Sequence, residues 1–235
     1  MCAEITSIIS KHFGNRKFVL SSHSYGSVVS THLLAYTPLS KQIGPVVLID
    51  PVTILLHLPD VAYNFTRRRP TSANEFQLYY FASMDSGVAH TLARHFFWNQ
   101  NVLWKKDIIS HKVTVSLGGH DLIVNTEAVG RYLSEPINGY ESRYVKPDLD
   151  PSSSEGTLID FDEPNDVNVG VRLRGGNGSS EAGNGNEDEW KRRPWKGEGI
   201  DVLWFRDLDH AQVFDKPATR KRLIHCIRTY CEDKN

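Results

Sequence analysis

Cysteine is scarce in this chain: Cys2, Cys226 and Cys231 are the only three among 235 residues. Their spacing gives neither a disulfide framework nor a metal-ligand pattern, which excludes a disulfide-stapled or zinc-stapled domain. A reducing, intracellular compartment fits this usage best. Long apolar runs are missing too, so no segment is expected to span a bilayer, and the opening residues lack the pattern of a secretory leader. An excess of either charge is also absent. With 27 Lys and Arg against 28 Asp and Glu, the formal net charge is −1. That argues against broad electrostatic attraction to nucleic acid or to an anionic membrane. The glycines at 175, 176 and 178 form no phosphate loop, because no strand leads in and no helix leads out. What remains is ordinary globular composition, 40% hydrophobic and 23% charged. It suits one domain with room for a cap or an insertion.

The most informative stretch is Lys17–Tyr36, KFVLSSHSYGSVVSTHLLAY. Phe18-Val19-Leu20 has the length and residue types of a buried strand. Ser22-His23-Ser24-Tyr25-Gly26 follows, and Val28, Val29, Leu33 and Leu34 then recur at helical spacing. Strand, tight turn with a central serine, and helix form the context in which a G-x-S-x-G-like match carries weight. Such a turn strains the serine backbone and requires small residues two before and two after it. Ser22 and Gly26 meet that requirement, although serine stands at the first position where the common pattern has glycine. The turn would lift Ser24 above the sheet at a helix N-terminus, where the Tyr25 N–H and the helix dipole favour an oxyanion. This segment resembles the nucleophile elbow of the α/β-hydrolase family. The plain alternative is a serine-rich turn in a doubly wound sheet.

In chain order, Glu4–His12 reads as a helix with Ile5, Ile8 and Ile9 on its apolar face, and residues 1–51 form core. GPVVLID (Gly44–Asp50) is a second buried parallel strand, giving a βαβ unit. Asp50 ends that strand on the side where α/β sheets place their sites, which makes it an alternative acid. Its plain role is to cap the following turn. Residues 52–110 lack strand-like alternation and are rich in aromatics, among them Tyr63, Phe65, Phe76, Phe81, Phe96, Phe97 and Trp98. They read as a small helical cap, with most of the aromatics packing helices against the domain. Residues 111–145 return to core. KVTVSL (Lys112–Leu117) is a third strand, Gly118-Gly119-His120-Asp121 a tight turn, and LIVNTEAVGRYL a helix. Asp121 is either an acid aimed from a strand end or a helix cap.

Residues 146–199 are rich in Gly, Ser, Asn and acidic residues, the composition of a disordered insertion. Within it, Leu158–Phe161 and Val167–Leu173 are the only stretches suited to a short hairpin. Residues 200–235 complete the core, with the strand GIDVLWF (Gly199–Phe205), a loop carrying His210, and a final helix.

Ser24, Asp121 and His210 follow three successive strands in the order serine, acid, histidine, which is the order of the α/β-hydrolase family. The resemblance covers residues 1 to about 135 and 199–235 and fits the C-terminal portion of that fold, a parallel sheet flanked by helices. Within the superfamily it is closest in character to uncharacterised fungal serine hydrolases. It implies a triad of Ser24, Asp121 and His210, with the Tyr25 backbone N–H in the oxyanion hole and no cofactor or metal. The substrate it implies is a small hydrophobic ester or acyl compound. His120 precedes the acid and does not fit the base position. The family's earlier strands and the loop bearing its second oxyanion donor find no counterpart in this sequence, which reads either as a fragment or truncated product or as a member in which other elements replace them. That departure keeps a second reading open, a truncated or non-catalytic member acting as a binding module.

Overall fold

The computed structural model describes residues 1–135 and 189–232. The expected hairpin within 158–173 lies outside them. Helix α1 (Cys2–Phe13) leads into strand β1 (Phe18–His23), helix α2 (Gly26–Ala35), the single turn α3 (Thr37–Ser40) and strand β2 (Ile43–Ile49). Five short helices follow: α4 (Pro59–Thr66), α5 (Ala73–Leu78), α6 (Ser86–Arg94), α7 (Trp98–Asn101) and α8 (Lys105–Ile108), with a π-helical turn at Tyr79–Ser83 after α5. Strand β3 (Val113–Gly118), helix α9 (Thr126–Ser134), strand β4 (Ile200–Phe205) and helix α10 (Pro217–Glu232) complete the order.

The four strands form one sheet in chain order, β1-β2-β3-β4, and each neighbouring pair is parallel. The α/β arrangement read from the sequence is therefore present. A parallel sheet covered on both faces favours strands that are apolar on both sides, which β2 meets with Val46–Ile49, whereas β3 sets Val113, Val115 and Leu117 on one side and the small, fully buried Thr114 and Ser116 on the other. Alternate residues serve opposite cores. Val46, Leu48, Val115 and Leu117 pack with Val28 and Leu33 of α2 and with Val129 and Leu133 of α9. Val47, Ile49, Leu203 and Phe205 face Leu223, Cys226 and Tyr230 of α10. Within this second layer Thr114 Oγ1 and the Tyr230 hydroxyl lie 2.8 Å apart, so the buried phenol keeps a partner. Truncating Leu48, with no exposed surface at the sheet centre, would cost about 2–5 kcal/mol.

Three features differ from expectation. Helix α1 buries no residue, and Ile8 is 58% exposed, while Ile5 and Ile9 are only partly covered. The helix after Asp121 begins at Thr126 instead of Leu122. Asp121 Oδ1 accepts the N–H groups of Ile123 and Val124, holding them in a turn, and Asn125 caps the helix by accepting from Ala128 N.

Finally, of the 146–199 segment, residues 189–199 are packed on the core, whereas 146–188 lie outside the described residues. Trp190 is buried and meets Trp204 edge-on at 5.1 Å, over a seat made by Gly130, where a Cβ would overlap the indole. Trp195 Nε1 donates to Thr114 Oγ1. Two aromatic anchors thus offset the polar composition that made this stretch look disordered.

Helices α4–α6 and their connections carry the aromatics read as helix packing. Several are open to solvent instead, including Tyr63, Tyr80, Phe81, Phe97 and Trp98. Leu103 and Ile108, by contrast, join the sheet's core and Val102 is buried beside them in the chain, so the end of the 52–110 segment belongs to the core layer. No helix among the described residues is long and apolar enough to cross a membrane.

Candidate active site

The C-terminal ends of the four strands converge on Ser24, Asp50, Asp121 and His210. Ser24 closes β1. Its N–H donates to Ile49 O at 2.8 Å, continuing the β1–β2 ladder, and its φ of 51° is left-handed, which bends the chain directly into α2. For a residue with a Cβ this conformation is costly and is held by its surroundings. Ser27 supplies one of the restraints, because its hydroxyl donates to Ser24 O and accepts from Val52 N. Ser22 accepts a hydrogen bond from Ser30 Oγ, and a Cβ placed on Gly26 would touch Ser22 Cβ at 3.4 Å. The two positions thus face each other closely, with room for a Cβ at 26 in ordinary contact, and serine at 22 gains a partner glycine would lack. Tyr25 is the N-cap of α2, so its N–H stands outside the helical ladder beside Ser24.

The acid turn and the histidine loop lie backbone against backbone. Gly119 N donates to Phe205 O and His120 N to Leu208 O. A Cβ on Gly118 would stand 2.6 Å from Leu208 O, and one on Gly119 would overlap Arg206 O. The glycine pair is what permits this approach. It brings Asp121, whose side chain is fully buried, to His210: Asp121 Oδ2 is 2.8 Å from Nδ1. On the other side of the ring Nε2 is 2.8 Å from Ser24 Oγ. A carboxylate only accepts, so Nδ1 carries the proton and Nε2 is left to accept from the serine hydroxyl. The three residues singled out from the sequence thus form one hydrogen-bonded line.

Asp50, the other acid considered, does not contact the imidazole nitrogen. Its Oδ2 accepts from Ala211 N at 2.9 Å. Asp209 was not expected at all. Its Oδ1 accepts from both Leu122 N, in the acid turn, and His210 N, and Gln212 Oε1 takes the Asp209 N–H. An acidic residue directly before the histidine in DLDHAQ was the available signal. Ser27 carried none. His120, by contrast, is exposed and takes no part in this line.

Burial alone would lower the His210 pKa. The hydrogen bond and charge of Asp121, joined by the charges of Asp50 and Asp209, outweigh it and hold the imidazole above its ordinary value. Burial first, and then the nearby Asp121 charge, push the Asp50 carboxyl up to about 6, against the stabilising Ala211 N–H, His210 and Gly118 N–H. His23 is lowered, chiefly by burial and then by His210, with Asp121 opposing. Its ring lies 5.4 Å from that of His210 and meets Phe214 edge-on at 5.1 Å. Asp50, Asp121 and His210 also bring one ligand-type atom each within 4.8 Å of the others, but those atoms are engaged as described.

Comparison of the chain with protein-family models, with curated proteins and with solved structures gives no match. The arrangement of these side chains is therefore what any functional reading rests on.

On the solvent side, Tyr25 is half exposed and its ring lies 6.1 Å from that of Phe96, in the connection between α6 and α7. This aromatic pair joins the residue that follows Ser24 in the chain to one from the helical segment.

Proposed function

We propose that this chain is a serine hydrolase of the α/β-hydrolase type that cleaves an ester or other acyl substrate through an acyl-enzyme intermediate. The observation that carries this reading is the line from Asp121 Oδ2 through the His210 ring to Ser24 Oγ, with both hydrogen bonds at 2.8 Å. A histidine that accepts from a serine hydroxyl and is oriented by a buried carboxylate is the arrangement that activates serine as a nucleophile. As Ser24 Oγ attacks the carbonyl carbon, His210 Nε2 takes its proton. Asp121 keeps the Nδ1–H tautomer and stabilises the imidazolium. The proton then passes to the leaving alcohol as the ester C–O bond breaks, leaving Ser24 acylated. Water attacks the acyl-enzyme in the second half, with His210 again accepting a proton and returning it to Ser24. The Tyr25 N–H and the N-terminal end of α2 face the oxyanion.

The Tyr25–Phe96 pair favours an apolar acyl or aryl group over a charged one. Hydrolysis of p-nitrophenyl esters of increasing acyl length tests the reading. Turnover is expected with wild type and absent with Ser24→Ala. A folded chain whose slow hydrolysis persists in Ser24→Ala would overturn it and leave the binding-module reading.

A further inference from the structure

We propose that Asp50 is a positioning residue for His210, its buried carboxylate accepting the Ala211 N–H and so fixing the backbone turn that carries the imidazole to Ser24. This rests on the reading of Ser24, Asp121 and His210 as a triad. Among the described residues four non-glycine positions have positive φ, and three of them are Ser24 (51°), Asp50 (44°) and Ala211 (67°). Left-handed backbone at residues with a Cβ is stored strain that persists only where the surroundings over-determine it. The first of the three is accounted for by the nucleophile turn. Asp50 and Ala211 account for each other: the bend after β2 aims the Asp50 side chain across the strand ends, and the bend at Ala211 turns its N–H to meet it at 2.9 Å.

Asp50 is 1% exposed, so its carboxylate needs protein donors in place of water. It has one in the histidine loop, the Ala211 N–H at 2.9 Å. One side chain just after β2 thus holds the loop after β4. Asp209 makes the matching tie on the other side of His210, joining Leu122 N to His210 N. His210 is held at the amide before its Cα by Asp209 and at the amide after it by Asp50. Both atoms of the peptide frame that direct its Cα–Cβ bond are therefore fixed, which is what a base needs if it is to stay within hydrogen-bond reach of Ser24. The carboxylate acts here through the backbone, and Asp121 alone meets the ring nitrogen.

The test compares Asp50→Ala, Asp50→Asn and Asp50→Leu with wild type in two measurements, the rate of fluorophosphonate labelling at Ser24 and amide hydrogen exchange at Ala211 followed by NMR. Asp50→Ala leaves Ala211 N–H without its acceptor. Labelling is expected to slow about tenfold or more and the Ala211 amide to exchange about tenfold faster. Asp50→Asn keeps an acceptor oxygen for Ala211 and is expected to restore most of both losses, whereas Asp50→Leu, which fills the space without an acceptor, is expected to behave like Asp50→Ala; rescue by Leu overturns the proposal. Labelling of Asp50→Ala at the wild-type rate, or equal loss in Asn and Ala variants, overturns the proposal. If Asp50→Ala does not fold, the wild-type exchange decides: an unprotected Ala211 amide overturns the proposal. A wild-type chain that never labels, yet shows the Ala211 protection pattern across the variants, counts against the hydrolase reading and not against the Asp50 anchor.

Discussion

His210 Nε2 lies 2.8 Å from Ser24 Oγ, although 186 positions of chain separate the two residues. Local sequence cannot make that contact. It is produced by four parallel strands in chain order, each delivering its C-terminal end to the same edge of the sheet, and by a glycine pair that lets two of the following loops touch.

The pH dependence follows from the charges around the ring. Burial would lower the His210 pKa, but Asp121, Asp50 and Asp209 raise it above the ordinary 6.5. In the proposed mechanism His210 accepts a proton and so works when neutral; kcat/KM should then rise with pH along a limb centred above 6.5, and be lost as the imidazole is protonated below it. Asp121→Asn removes the largest raising contribution and the tautomer control together. Its limb should shift to lower pH while the rate falls by about 10⁴-fold. A pH–rate profile of both proteins checks this, and an unshifted limb in Asp121→Asn would count against Asp121 as the partner.

Gly119→Ala should cost stability as well as activity. The new Cβ would overlap Arg206 O, a backbone atom that cannot rotate away. Separation of the acid turn from the histidine loop is the expected response, at about 1–3 kcal/mol. Urea unfolding measures the loss, and wild-type stability with unchanged labelling would contradict the close approach.

Trp190 gives a separate check on the packing of residues 189–199. Trp190→Ala empties a core position against Gly130 and Trp204 and should destabilise the chain by about 3–5 kcal/mol. Gly130→Ala should act through the same contact, so the double variant should be less than additive. Independent, additive losses would show that the indole is not seated there.

The strands were legible because their β-branched runs are bounded by turn residues, and all four lie within a residue or so of the positions read from sequence except for the longer end of β1. The candidate triad was legible because each member lies in the turn or loop that follows a strand. Asp209 and Asp50 were harder to place. Their partners are backbone N–H groups in other loops, and backbone donors leave no mark in a side-chain pattern. Residues 189–199 were misread for a related reason. Trp190 and Trp195 sit among Lys, Arg, Gly and Glu, so composition averaged away two anchors that decide the packing. The start of α9 was misplaced because Asp121 spends Oδ1 on Ile123 N and Val124 N while Oδ2 serves His210, so the acid and turn-holding roles coexist in one side chain.

The central claim is that Ser24 is an activated nucleophile. Labelling of the folded chain with a fluorophosphonate, with the modified residue located by mass spectrometry, tests it most directly. The account predicts a single adduct on Ser24 in wild type and none in Ser24→Ala or His210→Ala. No adduct on folded wild type, or labelling of Ser24 that survives His210→Ala, would contradict it.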